Sequence, residues 1–148
     1  MHRTRLVTLT LTAFLGALCL LVIGTSRGLT RDSVSKLLTS SQTVIGQPIV
    51  YPTAKPAKIT SVIVTMLPGE KTGWHQHDVP MFGYILEGEV TVDYGSKGTR
   101  VYRQGEAVME AIDWPHDGHN TGTGPARILA VFMGAEGIPN TVEAATPQ

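Results

Sequence analysis

Residues 81–94 read MFGYILEGEVTVDY and hold two runs of strand-forming residues that meet at Glu87-Gly88. A glycine between two runs rich in β-branched and aromatic residues is typical of a β-hairpin. Similar short runs continue on both sides of this pair and are separated by turns that contain glycine or proline. They are ITSVIVTML (59–67), TRVY (99–102), AVME (107–110) and RILAVFM (127–133). The pattern predicts an all-β fold of antiparallel strands, arranged as a sandwich or barrel.

The size and charge of the chain limit the classes of protein it can belong to. Its 148 residues leave room for one domain. Twelve Lys plus Arg balance twelve Asp plus Glu, so the formal net charge is zero. Domains that bind nucleic acid normally carry an excess of basic residues, and this composition has none. We therefore expect no nucleic-acid partner.

The first 26 residues are predicted to be a targeting segment. Arg3 and Arg5 precede the run 6–23, which contains no charged residue. A basic head followed by such a run is typical of a signal peptide, and its length also suits a transmembrane anchor. We expect an exported protein, periplasmic or anchored facing the periplasm, whose membrane contact is confined to this segment if it is uncleaved. The only cysteine, Cys19, lies in it, so the exported part has no thiol for catalysis or disulfides.

The rest of the chain is predicted to consist of two parts. Residues 27–56 are a lead-in segment, because they contain polar stretches and prolines without a strand-like period. Residues 57–148 are the barrel domain, which begins with the first strand-like run.

Four of the five histidines lie in two short clusters, Trp74-His75-Gln76-His77 and Pro115-His116-Asp117-Gly118-His119. Side chains two residues apart in a strand point to the same face, so His75 and His77 can chelate one metal ion. Alone, such a pair is a weak signal, and a third histidine on the same face strengthens it. His119 lies three residues after His116, and side chains an odd number of residues apart in a strand point to opposite faces, so His119 is predicted to face outward.

The spacing around these histidines follows two known motifs. The first has a glycine, two histidines one residue apart, an acid and a glycine; the second has a glycine, a Pro-x-Gly step, a histidine and an asparagine. The residues at the first set of positions are Gly69, His75, His77, Met81 and Gly88. Those at the second set are Gly105, Ala111, Asp113, His116 and Asn120. In seven of these ten positions the chain resembles the cupin superfamily, specifically its small single-domain type 2 members.

This resemblance implies a jelly-roll β-barrel in which His75, His77 and His116 bind a divalent metal ion. Iron is the first expectation, because three-histidine iron sites occur in the superfamily; manganese, nickel, copper and zinc are the others. Single-domain members commonly pair through a strand edge, which implies a homodimer. The pocket of such a barrel implies a small-molecule ligand or substrate.

Met81 is the main departure from the motif, because an acid is usual there. A thioether is a soft ligand that suits copper, so Met81 is either a fourth metal ligand or part of the pocket lining. Other candidate pocket residues are Asn120, Tyr84, Trp74 and Trp114. For Asn120 the alternative is a turn asparagine, and for the two tryptophans it is packing.

Two functions are compatible with these residues. One is an Fe(II)-type dioxygenase or related oxidoreductase that acts on a small anionic chelating substrate such as an enol or diketone. The other is a non-catalytic module that binds a small molecule or a metal. The nearest candidates for acid or base chemistry are Tyr84, Glu110 and Asp78. Asp78 is adjacent to His77 in the sequence, so its side chain is predicted to point away from the pocket. Sequence alone selects no catalytic residue, so enzymatic activity is left open.

Overall fold

The structure is a computed structural model, and it describes residues 34–146. The predicted targeting segment, 1–26, lies outside the described residues, as does the start of the lead-in. In the described range the fold is all-β, and its one helical element is a single 3₁₀ turn at Gly95–Lys97. No helix within this range is long and apolar enough to cross a membrane.

Nine strands make up the described part of the chain. They are β1 (Ala57–Met66), β2 (His75–Gln76), β3 (Met81–Glu87), β4 (Glu89–Asp93), β5 (Thr99–Arg103), β6 (Ala107–Met109), β7 (Asp117–His119), β8 (Ala126–Ala135) and β9 (Val142–Glu143). The hairpin predicted around Gly88 is β3–β4, and the other four predicted strands are β1, β5, β6 and β8. The three short strands β2, β7 and β9 were not predicted.

All strand pairs are antiparallel and form three sheets. The largest sheet has the order β1-β8-β3-β6, the second has the order β5-β4-β7, and the third is the pair β2-β9. Met66 and Ala126 of the largest sheet pack against Val90 and Val92 of the second in one buried cluster. The two larger sheets therefore enclose the core between them, as a jelly roll requires.

Gly88 links β3 to β4 with a positive φ of 73°, a conformation that favours glycine. A Cβ atom at this position would lie 2.5 Å from the carbonyl oxygen of Pro125, so there is no space for a side chain. Gly105 before β6 also has a positive φ, of 89°. The turn that the sequence predicts at Gly88 is confirmed.

Part of the lead-in segment docks on the domain. The Val44 N–H donates to the carbonyl of Met109, at the end of β6, over 2.8 Å. The Gln47 side chain donates to the carbonyl of Ile112 and accepts its N–H. Thr43 is buried, and Val44 packs against the core cluster. Residues 43–47 therefore add to the packing of the domain, although β1 begins only at Ala57.

Candidate metal centre

The structure brings together the three histidines that the motif spacing selected. His75 in β2 and His116 before β7 face each other as an antiparallel pair, and each backbone N–H donates to the other's carbonyl, over 3.0 and 2.9 Å. His77 lies two residues beyond His75 and shares its face. The ring centroids are 4.5 to 5.1 Å apart, and one potential ligand atom from each histidine lies within 4.8 Å of the others. Pairing between β2 and the β7 region thus assembles the cluster.

Each histidine has its Nδ1 atom engaged by a backbone carbonyl oxygen. The acceptors are the carbonyls of Gly73 for His75, Asn140 for His77 and Trp114 for His116, at 2.8, 2.9 and 2.9 Å. A carbonyl accepts only, so each Nδ1 carries the proton of a neutral ring and each Nε2 has a free lone pair. Hydrogen bonding of one ring nitrogen to a carbonyl is characteristic of metal-binding histidines.

The Nε2 atom of His77 is buried and has no hydrogen-bond partner. Burial, together with repulsion from His116 and His75, lowers the pKa of His77 to about 3. Burial also lowers the pKa values of His75 and His116. All three rings are therefore neutral near pH 7. Because a buried acceptor without a partner is costly, the three free lone pairs fit a divalent metal ion well.

The histidines line a cavity of about 140 Å³ between the two larger sheets. Its wall is mainly aliphatic and aromatic, with Ile85, Val90 and Phe132 among the lining residues. The polar residues in the wall besides the histidines are Thr72, Tyr102, Glu110 and Thr141. The cavity suits a small ligand with an apolar body and one metal-binding end.

Met81 lines this cavity, as one of its two predicted roles requires. Tyr84 does not, because Met81, Gly83 and Ile85 of the same strand face the cavity and Tyr84 alternates with them. Tyr84 therefore lies outside the cavity wall.

Asn120 and the two tryptophans, the other possible pocket residues, also lie outside the cavity wall. The buried Asn120 amide donates to the carbonyls of Met66 and Gly124 and accepts the Gly122 N–H, which is the turn role. Trp114 donates from Nε1 to the carbonyl of Tyr94 and packs against the core. Trp74 accepts the Ala144 N–H at its carbonyl, beside the β2–β9 pair.

The candidates for acid or base chemistry differ in whether they line the cavity. Asp78 and His119 do not line the cavity, whereas Gly118, next to His119, does. Glu110 does line it, and burial raises the pKa of its carboxyl group. Burial also raises the pKa of Tyr102 to about 12 and that of Tyr94 above its ordinary value. Glu110 is thus the acid of the pocket, which its place in the sequence did not reveal.

Comparison with known proteins gives the class of this chain. A family profile described as "Cupin domain" matches residues 62–132. These residues hold the three histidines and most of the two larger sheets, so residues 62–132 of this chain are a cupin domain. A search of curated proteins finds no match.

Solved structures share the fold. An oxalate decarboxylase from Lactobacillus farciminis, in a formate complex, matches with a TM-score of 0.51 at 24% identity, covering 61% of this chain and 27% of its own. A DMSP lyase from Ruegeria pomeroyi matches with a TM-score of 0.52 at 22% identity, covering 61% and 45%. The protein TT1209 from Thermus thermophilus is 28% identical, with a TM-score of 0.47 and coverage of 52% and 73%. This chain therefore spans less than half of the two enzymes.

Proposed function

We propose that this cupin binds one divalent metal ion, Fe(II) first, through the Nε2 atoms of His75, His77 and His116. The supporting observation is that three backbone carbonyls engage all three Nδ1 atoms, which leaves three neutral rings with free Nε2 lone pairs at one wall of a cavity. Imidazole ligands suit Fe, Ni, Cu and Zn, so the donor set alone does not fix the metal.

The finer proposal is a dioxygenase or related oxidoreductase that acts on a small anionic chelating substrate. The bound metal would supply a Lewis acid and a template for the substrate. Three neutral ligands leave its positive charge largely uncompensated, which favours an anionic substrate group. The apolar wall would hold the body of the substrate and exclude water from the reacting end.

The experiment starts with the metal content of protein purified without chelators, followed by oxygen uptake with acetylacetone as the enolisable probe. We expect near-stoichiometric metal and oxygen consumption that stops after metal removal. Bound metal together with an acetylacetone-dependent absorption change, but without oxygen uptake, would instead support the non-catalytic binding module. Protein without metal, even after reconstitution with Fe(II), would contradict the metal site itself.

Met81→Glu should tighten the binding of Mn(II) by about tenfold. The substitution places a carboxylate, a hard anionic ligand, at a position that lines the cavity. Titration of metal-free protein with Mn(II), followed by the electron paramagnetic resonance signal of the free ion, measures this. Val101→Glu adds the same charge on exposed β5 and serves as the control. Equal affinities in wild type and Met81→Glu would show that residue 81 is lining only.

We also propose where the protein is located and how it associates. The basic head and uncharged run of residues 1–26 support a proposal that the protein is exported, either as a periplasmic protein or anchored in the membrane facing the periplasm. A homodimer is favoured by β1, an edge strand of the largest sheet on which Ile59 and Ile63 are 62% and 51% exposed.

A further inference from the structure

Glu110 lies beside the position at which the cupin motif normally has its acid. It directly follows β6, and its backbone N–H donates to the carbonyl of Met81 over 2.9 Å. Its side chain lines the same cavity as Met81 and the three histidines, and only 4% of the residue is exposed. A carboxyl group is therefore present in the pocket. It directly follows β6, which pairs with the strand that begins at Met81.

This carboxyl group has no cationic side chain as a partner. The ion pairs among the described residues are Arg103 with Glu89 and Arg127 with Glu87, both at the surface. Glu110 instead accepts the N–H of Ala111 over 2.8 Å. A buried carboxylate normally requires a cation or a metal ion nearby. The three histidines are neutral and cannot supply that charge.

Two tyrosines lie near this carboxyl group. The hydroxyl of the wholly buried Tyr94 lies 3.2 Å from the hydroxyl of Tyr102, which lines the same cavity as Glu110. The hydrogen bond from the backbone N–H of Ala111 favours an ionised carboxylate. Glu110 thus has a donor that would stabilise its negative charge, but no cationic side chain among the described residues that would offset it.

We propose that Glu110 is the anionic partner of the metal centre: it lies in the cavity wall outside the group of three histidine ligand atoms and supplies the negative charge that Met81 lacks. The proposal rests on the three-histidine metal site proposed above. A divalent ion and its three neutral ligands carry a net charge of +2. With an ionised Glu110 nearby, the net charge of the whole site falls to +1. Attraction across a cavity with few polar groups is strong, so this charge would raise the affinity for a divalent ion.

The test is titration of metal-free protein with Co(II), followed by the visible absorption of the bound ion. Glu110→Gln keeps the shape of the side chain and removes the charge, whereas Glu110→Asp keeps the charge and shortens the side chain. We expect Glu110→Gln to bind Co(II) about tenfold more weakly or worse, and Glu110→Asp to stay within about threefold of wild type. Glu136→Gln makes the same charge change at an exposed residue and should bind like wild type.

The melting temperature of each metal-free variant separates this role from a structural one. Glu110→Gln should melt no lower than wild type, because a neutral amide replaces a buried carboxyl group. Weak Co(II) binding with a lowered melting temperature would overturn the proposal, as would wild-type affinity in Glu110→Gln or weaker binding by Asp than by Gln. In those cases wild type would still bind Co(II), whereas wild type without Co(II) binding would refute the three-histidine site itself.

Discussion

The His116→Ala variant is expected to lose its metal on purification and to bind added Co(II) at least about 100-fold more weakly than wild type. It removes one of three ligands, and even residues that only orient a ligand change metal affinity by about 10- to 100-fold. His116 is the proposed ligand that β-pairing brings across to His75, so its loss leaves only His75 and His77, two residues apart. Metal analysis of purified protein and a Co(II) titration measure the effect.

His119→Ala is the matched control for this variant. It removes the same side chain three residues further on, at the end of β7, where the side chain does not line the cavity. It should retain the metal, and circular dichroism should show native strand content in both variants. Stoichiometric metal in His116→Ala would contradict a site formed by the three histidines.

The parts of the fold that could be predicted are those with a local signal. The hairpin at Gly88 follows from a turn that only glycine can adopt between two strand-like runs. The shared face of His75 and His77 follows from strand parity, which needs no knowledge of the rest of the chain. His116 could be predicted as the third candidate ligand only because the spacing of the two motifs resembles that of a known family.

The parts that could not be predicted depend on contacts between distant segments. The carbonyl that engages His77 belongs to Asn140, 63 residues away, on the segment that leads into β9. Strands as short as β2 and β9 have two residues each and show no periodicity. Glu110 could not be preferred over Tyr84, because the side of each strand that faces the cavity is set by sheet packing.

The same distant contacts support the candidate metal centre. β9 pairs with β2, which aligns Val142 and Glu143 with Gln76 and His75. The Ala144 N–H also donates to the carbonyl of Trp74. The last segment of the described chain is therefore paired with β2, which contains His75 and directly precedes His77. Such support keeps the imidazoles in place before a metal binds, which reduces the entropy lost on binding.

The metal-free protein should become less stable as the pH falls from about 6.5 towards 3, and His77→Gln should weaken this dependence. The ordinary pKa of a histidine side chain is 6.5, and the pKa of His77 in the folded protein is about 3. Between these values the unfolded chain binds more protons, so the free energy of unfolding increases with pH. The stabilisation is complete above the unfolded pKa and is lost as the pH falls through the window to the folded pKa. The shift corresponds to a few kcal/mol at most.

Two neighbouring histidines act in the same direction, and Glu110 acts in the opposite one. Burial lowers the pKa values of His75 and His116, so their stabilisation is also lost on acidification. The raised pKa of Glu110 means that the folded state retains a proton the unfolded state releases, which lowers stability as the pH rises above about 4.5. Urea unfolding with chelator present, from pH 4 to 8, isolates His77 as the difference between wild type and His77→Gln. That difference should grow with pH by at most about 1.4 kcal/mol per unit, the value for one proton, and parallel curves would show that His77 is not held neutral by burial.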